Sequence, residues 1–150
     1  RRPPQKIVVV SAAPQIRYPD YYGIDMPRLE EFCVFRATIE LIRERGMNDL
    51  LQRVYEACKL ELLKPKDMMR NCVRDIYKPF STEEINQKEA EMLRPEGLKT
   101  PVELVFQSID GLHEAMPNHH GDWYFTGKYP TPGGTKLCNQ AFVNYIDRQK

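Results

Sequence analysis

Four consecutive β-branched residues, Ile7-Val8-Val9-Val10, run directly into a loop stiffened by Pro14 and Pro19. That junction constrains the fold more than any other feature of the chain. An unbroken apolar run of this kind fits a strand covered on both faces, as in a parallel sheet. We place the strand from Gln5 to Ala12, after an extended entry at Arg1-Arg2-Pro3-Pro4. In open α/β sheets, ligand sites sit in loops at the carboxyl ends of strands. The loop from Ser11 to Met26 is therefore the first place to look for function. A central parallel strand also needs neighbours. Only two further strand candidates follow, Val102 to Gln107 and Trp123 to Thr126.

The 150 residues suffice for one domain with a real core, since a chain of this size buries roughly 70% of its unfolded surface. Twenty-two basic and 21 acidic residues leave a net charge of +1. That balance gives no electrostatic case for nucleic acid or an anionic membrane as partner. No apolar run approaches the ~18 residues of a membrane span. No basic segment leads into a short apolar one as in a secretory leader. Cys33, Cys58, Cys72 and Cys138 form no C-x-x-C pair, and three of them fall at apolar positions of predicted helices. They are expected to be reduced core residues, which points to a cytoplasmic protein.

Helical spacing organises most of the remainder. Pro27 suits a first helical turn. Leu29, Cys33, Ala37 and Leu41 then share one face, and Gly46 is a stop. Asn48 or Asp49 can cap a second helix that turns Leu51, Val54, Cys58 and Leu62 inward and ends at Pro65. A third helix, about Asp67 to Tyr77, places Met69, Cys72, Val73 and Ile76 on one stripe. Ser81-Thr82-Glu83-Glu84 is a capping box that starts a helix running to about Leu93, broken near Pro95-Glu96-Gly97. Ser108 can cap a short helix through Ala115. Pro130 to Thr135 reads as a loop before a terminal helix, Leu137 to Asp147.

The stretch Ser11-Ala12-Ala13-Pro14-Gln15-Ile16-Arg17-Tyr18-Pro19-Asp20-Tyr21-Tyr22-Gly23-Ile24-Asp25-Met26 resembles, almost letter for letter, the segment that follows the phosphoribosyl pyrophosphate motif in amidophosphoribosyltransferases. Phe125-Thr126-Gly127-Lys128-Tyr129-Pro130-Thr131 resembles a segment near that family's carboxyl terminus. Between them, Ser81 to Ile85 and Val102 to Ala115 resemble a helix start and a strand–helix pair, in the same order. The resemblance implies an α/β fold: part of a type I phosphoribosyltransferase-like parallel sheet, with a helix-rich insertion at about 30–78. It also implies a role in purine biosynthesis, where the parent enzyme makes phosphoribosylamine from phosphoribosyl pyrophosphate and glutamine. The paired acids and phosphate-cradling loop of that transferase, and the N-terminal cysteine of its glutaminase, have no counterpart in this sequence. The chain is thus expected to be the C-terminal part of the transferase domain, inactive alone. Its expected partners are the rest of that enzyme and further copies of it, with Mg²⁺ required by the parent.

Some members of the family hold an iron–sulfur cluster on four cysteines. The corresponding positions here are Asp20, Asn118, Gly121 and Tyr124. Cluster binding needs thiolates, so no cluster is expected, and no cofactor is assigned to this chain. By the same resemblance, Arg17, Tyr18, Tyr22 and Asp25 form a wall beside the substrate or the ammonia passage. Arg17 suits an anionic contact or a salt bridge with Asp20 or Asp25. Asp25 suits the site or the cap of the helix at Pro27. Tyr18, Tyr21 and Tyr22 line a passage or simply pack.

Other constellations say less. His113, His119 and His120 lack the i, i+4 spacing of metal ligands. Pro132-Gly133-Gly134-Thr135 lacks the Lys-Ser/Thr ending of a phosphate loop and reads as a turn. Arg43, Glu44 and Arg45 read as a solvated face. A different class also fits the inserted helices and the missing catalytic loop: a non-catalytic interaction module on the same scaffold.

Overall fold

The leading strand forms as β1, Ile7–Ser11, and pairs in parallel with β2, Val102–Phe106, in the register Ile7 to Val102 through Ser11 to Phe106. This computed structural model describes residues 4–23 and 26–150. The expected entry at Arg1 to Pro3 lies outside them. The two strands make a two-stranded sheet among the described residues. The expectation of burial on both faces is corrected. Val8, Val9 and Val10 are 49%, 52% and 71% exposed. The physical reason is that α3 packs on β2, while β1 is packed chiefly by β2 itself.

Helices supply the core. They are α1 (Cys33–Glu44), α2 (Asn48–Leu62), α3 (Thr82–Leu93), α4 (Ile109–Ala115), α5 (Trp123–Thr126) and α6 (Pro132–Asp147). α1 packs on α3, and α2 packs on α6. Phe35 and Phe142 are fully buried, and the Phe35 ring stands edge-on to Tyr145 at 4.9 Å. Each such side chain contributes about 1.5–3 kcal/mol by leaving water. The helices between residues 30 and 78 are therefore central to the core rather than appended to it.

Cys33 corrects the expectation for α1: it is exposed, whereas Cys58, Cys72 and Cys138 are buried, and all four thiols are free. The buried stripe runs through Phe35, Thr38 and Ile42. Position 33 lies about 200° around the helix from Phe35, on the opposite side. Arg45 and Glu44 are also more than a solvated face. Arg45 pairs with Glu84 and stacks on Phe80, and Glu44 holds the buried ammonium of Lys88 at 2.7 Å. They tie α1 to α3. The α2 cap is likewise corrected. Met47 stands at that position with no side-chain cap bond, while Asp49 occupies the first turn.

The helix expected over Asp67 to Tyr77 is replaced by two 3₁₀ turns, Lys66–Met68 and Cys72–Ile76. Side chains have taken its backbone donors. Arg70 N donates to Glu61 at 2.8 Å, Cys72 N to Asn139 at 3.0 Å and Val73 N to Asn71 at 3.1 Å. Local competition of this kind displaces an α-helical ladder. Cys72, Val73 and Ile76 remain buried.

Two more corrections lie near the carboxyl end. Trp123 to Thr126 is one helical turn, not a strand. Gly127 closes it at φ 69° by donating to the Trp123 carbonyl at 2.9 Å. α6 begins at Pro132, five residues before the expected start, with proline in its first turn. The capping box holds as expected: Ser81 Oγ accepts from Glu84 N at 3.1 Å, and Glu84 accepts from Ser81 N at 2.7 Å.

Candidate functional site

The loop after β1 is held by a partner more than 100 residues away. Backbone N–H groups of Arg17 and Tyr18 both donate to the Tyr124 carbonyl, at 2.9 and 3.1 Å. The Tyr129 hydroxyl donates to the Pro19 carbonyl at 2.5 Å. Tyr22 and Thr131 share a hydroxyl–hydroxyl bond of 2.5 Å, and Thr131 N donates to the Tyr22 oxygen at 3.2 Å. The two segments that carry the strongest sequence resemblance thus form one unit at the carboxyl end of β1. Gly23, at φ 132°, supplies backbone that other residues rarely adopt.

Asp20 is the buried pin of this unit. Its carboxylate accepts from Tyr22 N at 3.1 Å and from the Trp123 indole at 3.4 Å. The Tyr22 ring meets Trp123 edge-on at 4.9 Å. The Asp20 carboxylate thus joins both segments. Among the described residues, no group of three His, Cys, Asp or Glu side chains is disposed to hold a metal ion.

Arg17 is bound to Gln15, Thr82 and Tyr77 among the described residues. Its Nε and Nη2 donate to Gln15 Oε1 at 2.9 and 2.6 Å, and Nη2 reaches Thr82 Oγ1 at 3.3 Å. The guanidinium lies over the Tyr77 ring, 5.1 Å from its centre. Gln15, though on a loop, is buried, and it donates in turn to Asn86 Oδ1 at 2.6 Å. Among the described residues, the guanidinium of Arg17 is thus bound by neutral groups. Asp25 lies outside the described residues.

Tyr18 is buried, edge-on to Tyr77 at 5.5 Å. Burial pushes both phenols well above their ordinary range. The Tyr77 hydroxyl donates to the Arg17 carbonyl at 2.9 Å. Tyr21 and Tyr22 are half exposed. Of the expected wall, the structure joins Arg17 and Tyr18 on one side, through Tyr77, and sets Tyr22 on the other, against Trp123. His113 bonds Asp122 at 2.9 Å, and His119 accepts from Gly121 N at 3.2 Å.

Gln15, Asn71, Tyr77 and Asn86 are participants that sequence reasoning missed. Nothing in local spacing marks them, because each acts across a long separation. Asn71, for example, donates to the Gly127 carbonyl at 3.0 Å. Gln15, Tyr77 and Asn86 border a groove of about 880 Å³ at the carboxyl ends of both strands, between the loop, α3 and the β2–α4 turn.

Fold and site define a mixed α/β chain with a loop-borne groove at the strand ends. Its matches among known proteins are amidophosphoribosyltransferases. It is 48% identical over 40 residues to the amidophosphoribosyltransferase of Haemophilus influenzae, covering 27% of this chain and 8% of that protein. It is 36% identical over 59 residues to the Escherichia coli amidophosphoribosyltransferase, covering 33% of this chain and 12% of that protein. The matched stretches are thus a small part of either relative. No protein-family model matches the chain, and neither does any solved structure. Among the described residues, no helix is long and apolar enough to cross a membrane.

Proposed function

We propose that this chain is the C-terminal segment of the phosphoribosyltransferase domain of an amidophosphoribosyltransferase acting in purine biosynthesis. The carrying observation is the union of the Ser11–Gly23 loop with the Tyr124–Thr131 segment, made through Tyr124, Tyr129 and Thr131. These are the two stretches that most resemble that family, and they meet where α/β sheets carry their sites. The open valines of β1 add support, since further βαβ units of a parent sheet would pack helices over them.

In this reading the chain contributes one wall and no phosphate-cradling loop. The rest of the enzyme supplies the paired acids, the Mg²⁺ site and the glutaminase. Arg17, pinned by Gln15, is a fixed cation beside the substrate. Tyr22 sets the loop against Thr131.

The test is an assay of the protein from the complete reading frame. Phosphoribosylamine formation from phosphoribosyl pyrophosphate is measured with ammonia as nitrogen donor. Activity is expected, and Arg17→Ala should lower kcat/KM by about ten-fold, as loss of one charge-assisted contact does. A well-folded protein without turnover would refute the reading. The interaction module would then be the better account.

A further inference from the structure

The 30–78 segment reaches both stretches that form the site. Its second 3₁₀ turn ends at Tyr77, whose backbone N–H donates to the Arg74 carbonyl at 3.3 Å. The turn is fixed from behind. Asn139 of α6 accepts from Cys72 N at 3.0 Å, and α2 packs on the turn. Ile76 is fully buried, and Tyr77 is buried beside it. The Tyr77 side chain is thus rooted in the core.

Its other side meets the loop after β1. The Tyr77 hydroxyl donates to the Arg17 carbonyl at 2.9 Å. The Arg17 guanidinium lies over the Tyr77 ring, 5.1 Å from its centre, and the same ring stands edge-on to Tyr18 at 5.5 Å. One residue therefore holds both the backbone and the side chain of Arg17. Asn71, which caps the start of the same turn, reaches the second stretch, where its Nδ2 donates to the Gly127 carbonyl at 3.0 Å. A Cβ at Gly127 would come within 2.8 Å of Asn71 Nδ2 and 2.9 Å of Tyr18 Cζ, so the three residues are in close contact. A long, rotamer-rich side chain that is ordered before it meets its ligand pays less to bind it.

We infer that Tyr77 is a positioning residue for Arg17, and that the 30–78 segment thereby sets the direction in which the loop presents this cation to substrate. The inference rests on the transferase reading and adds to it, because the family resemblance assigns no role to residues 30–78.

The test is a double-mutant cycle in the protein from the complete reading frame, assayed with ammonia as nitrogen donor. The four proteins are the wild type, Arg17→Ala, Tyr77→Phe and the double variant. Tyr77→Phe keeps the ring in the core and removes only the hydroxyl. It is expected to lower kcat/KM about five-fold, as loss of one neutral hydrogen bond does. In the Arg17→Ala background the same change should cost nothing further, because a residue that acts through Arg17 then has nothing to position. A five-fold loss in both backgrounds, or a loss in neither, overturns the proposal. A second readout needs no turnover. Hydrogen exchange at the Arg17 and Tyr18 amides should quicken about five-fold in Tyr77→Phe, while α1 and α2 exchange as in the wild type. Unchanged exchange in the loop, or faster exchange throughout the core, also overturns it. A wild type without turnover removes the transferase reading, and the exchange result alone then decides whether Tyr77 positions Arg17.

Discussion

The Tyr129 hydroxyl donates to the Pro19 carbonyl at 2.5 Å across 110 positions of the chain. That one bond joins the loop after β1 to the approach of α6, and the Tyr129 ring also bears on Gly134. Tyr129→Phe leaves the ring and removes the donor. A loss of about 1–2 kcal/mol is expected, because the half-buried carbonyl is left unmatched. Urea unfolding measures it. Hydrogen exchange should rise at Arg17 and Tyr18 before the helical core responds.

The adjacent glycines at the start of α6 should behave oppositely. A Cβ at Gly134 would overlap the Tyr129 ring, which is held in place by its bond to Pro19. Gly134→Ala is therefore expected to destabilise by about 1–3 kcal/mol, as overpacking does. A Cβ at Gly133 meets the end of the Tyr21 ring instead, and Tyr21 is 51% exposed and able to swing away. There the gain in helix propensity, up to ~1 kcal/mol, survives. Melting temperatures of the two variants should fall on either side of the wild type.

Asn139 carries the tie between α6 and the 3₁₀ segment. It is fully buried. Its Oδ1 accepts from Cys72 N at 3.0 Å and from Cys58 Sγ at 3.5 Å, and its Nδ2 donates to the Arg70 carbonyl at 2.9 Å. Asn139→Ala leaves the Cys72 amide and the Arg70 carbonyl without their partners. We expect a loss of about 3 kcal/mol or more. Asn139→Asp should not rescue it, since a buried carboxylate cannot donate to Arg70.

Glu89 contributes a pH dependence of its own, opposite in sign to that of the paired carboxylates Glu61 and Asp75. Its side chain is 5% exposed, and Oε2 has no hydrogen-bond partner. Burial raises its carboxyl above the ordinary value of 4.5. An acid with a raised pKa binds its proton more tightly when folded. Stability is then highest below the ordinary value and falls as pH rises through the window up to the folded value. Glu89→Gln removes this slope and should stabilise the protein at neutral pH by about 1 kcal/mol. Denaturant midpoints at pH 4 and pH 7 test it. A variant whose advantage over the wild type is no greater at pH 7 than at pH 4 would contradict this account.

The sequence alone determined those features that are written within a few residues. Ser81 and Glu84 specify the start of α3 because a capping box closes on itself over one turn. The Ser108 cap, the Gly46 stop and the strands at Ile7 and Val102 were legible for the same reason. Arg17, Tyr18 and Tyr22 stood out as candidate site residues only through the resemblance of their loop. Tertiary structure decided the remainder. Whether valines of β1 are covered depends on which elements reach them, and periodicity within the strand carries no such information. The helix expected at Asp67 gave way because Glu61, Asn71 and Asn139 took backbone donors that local spacing assigned to a helical ladder. Arg17 meets Gln15 because Asn86 and Thr82 of α3 hold that carboxamide in place. Each outcome turns on a partner distant in the chain, and only the folded packing brings such partners within hydrogen-bond range.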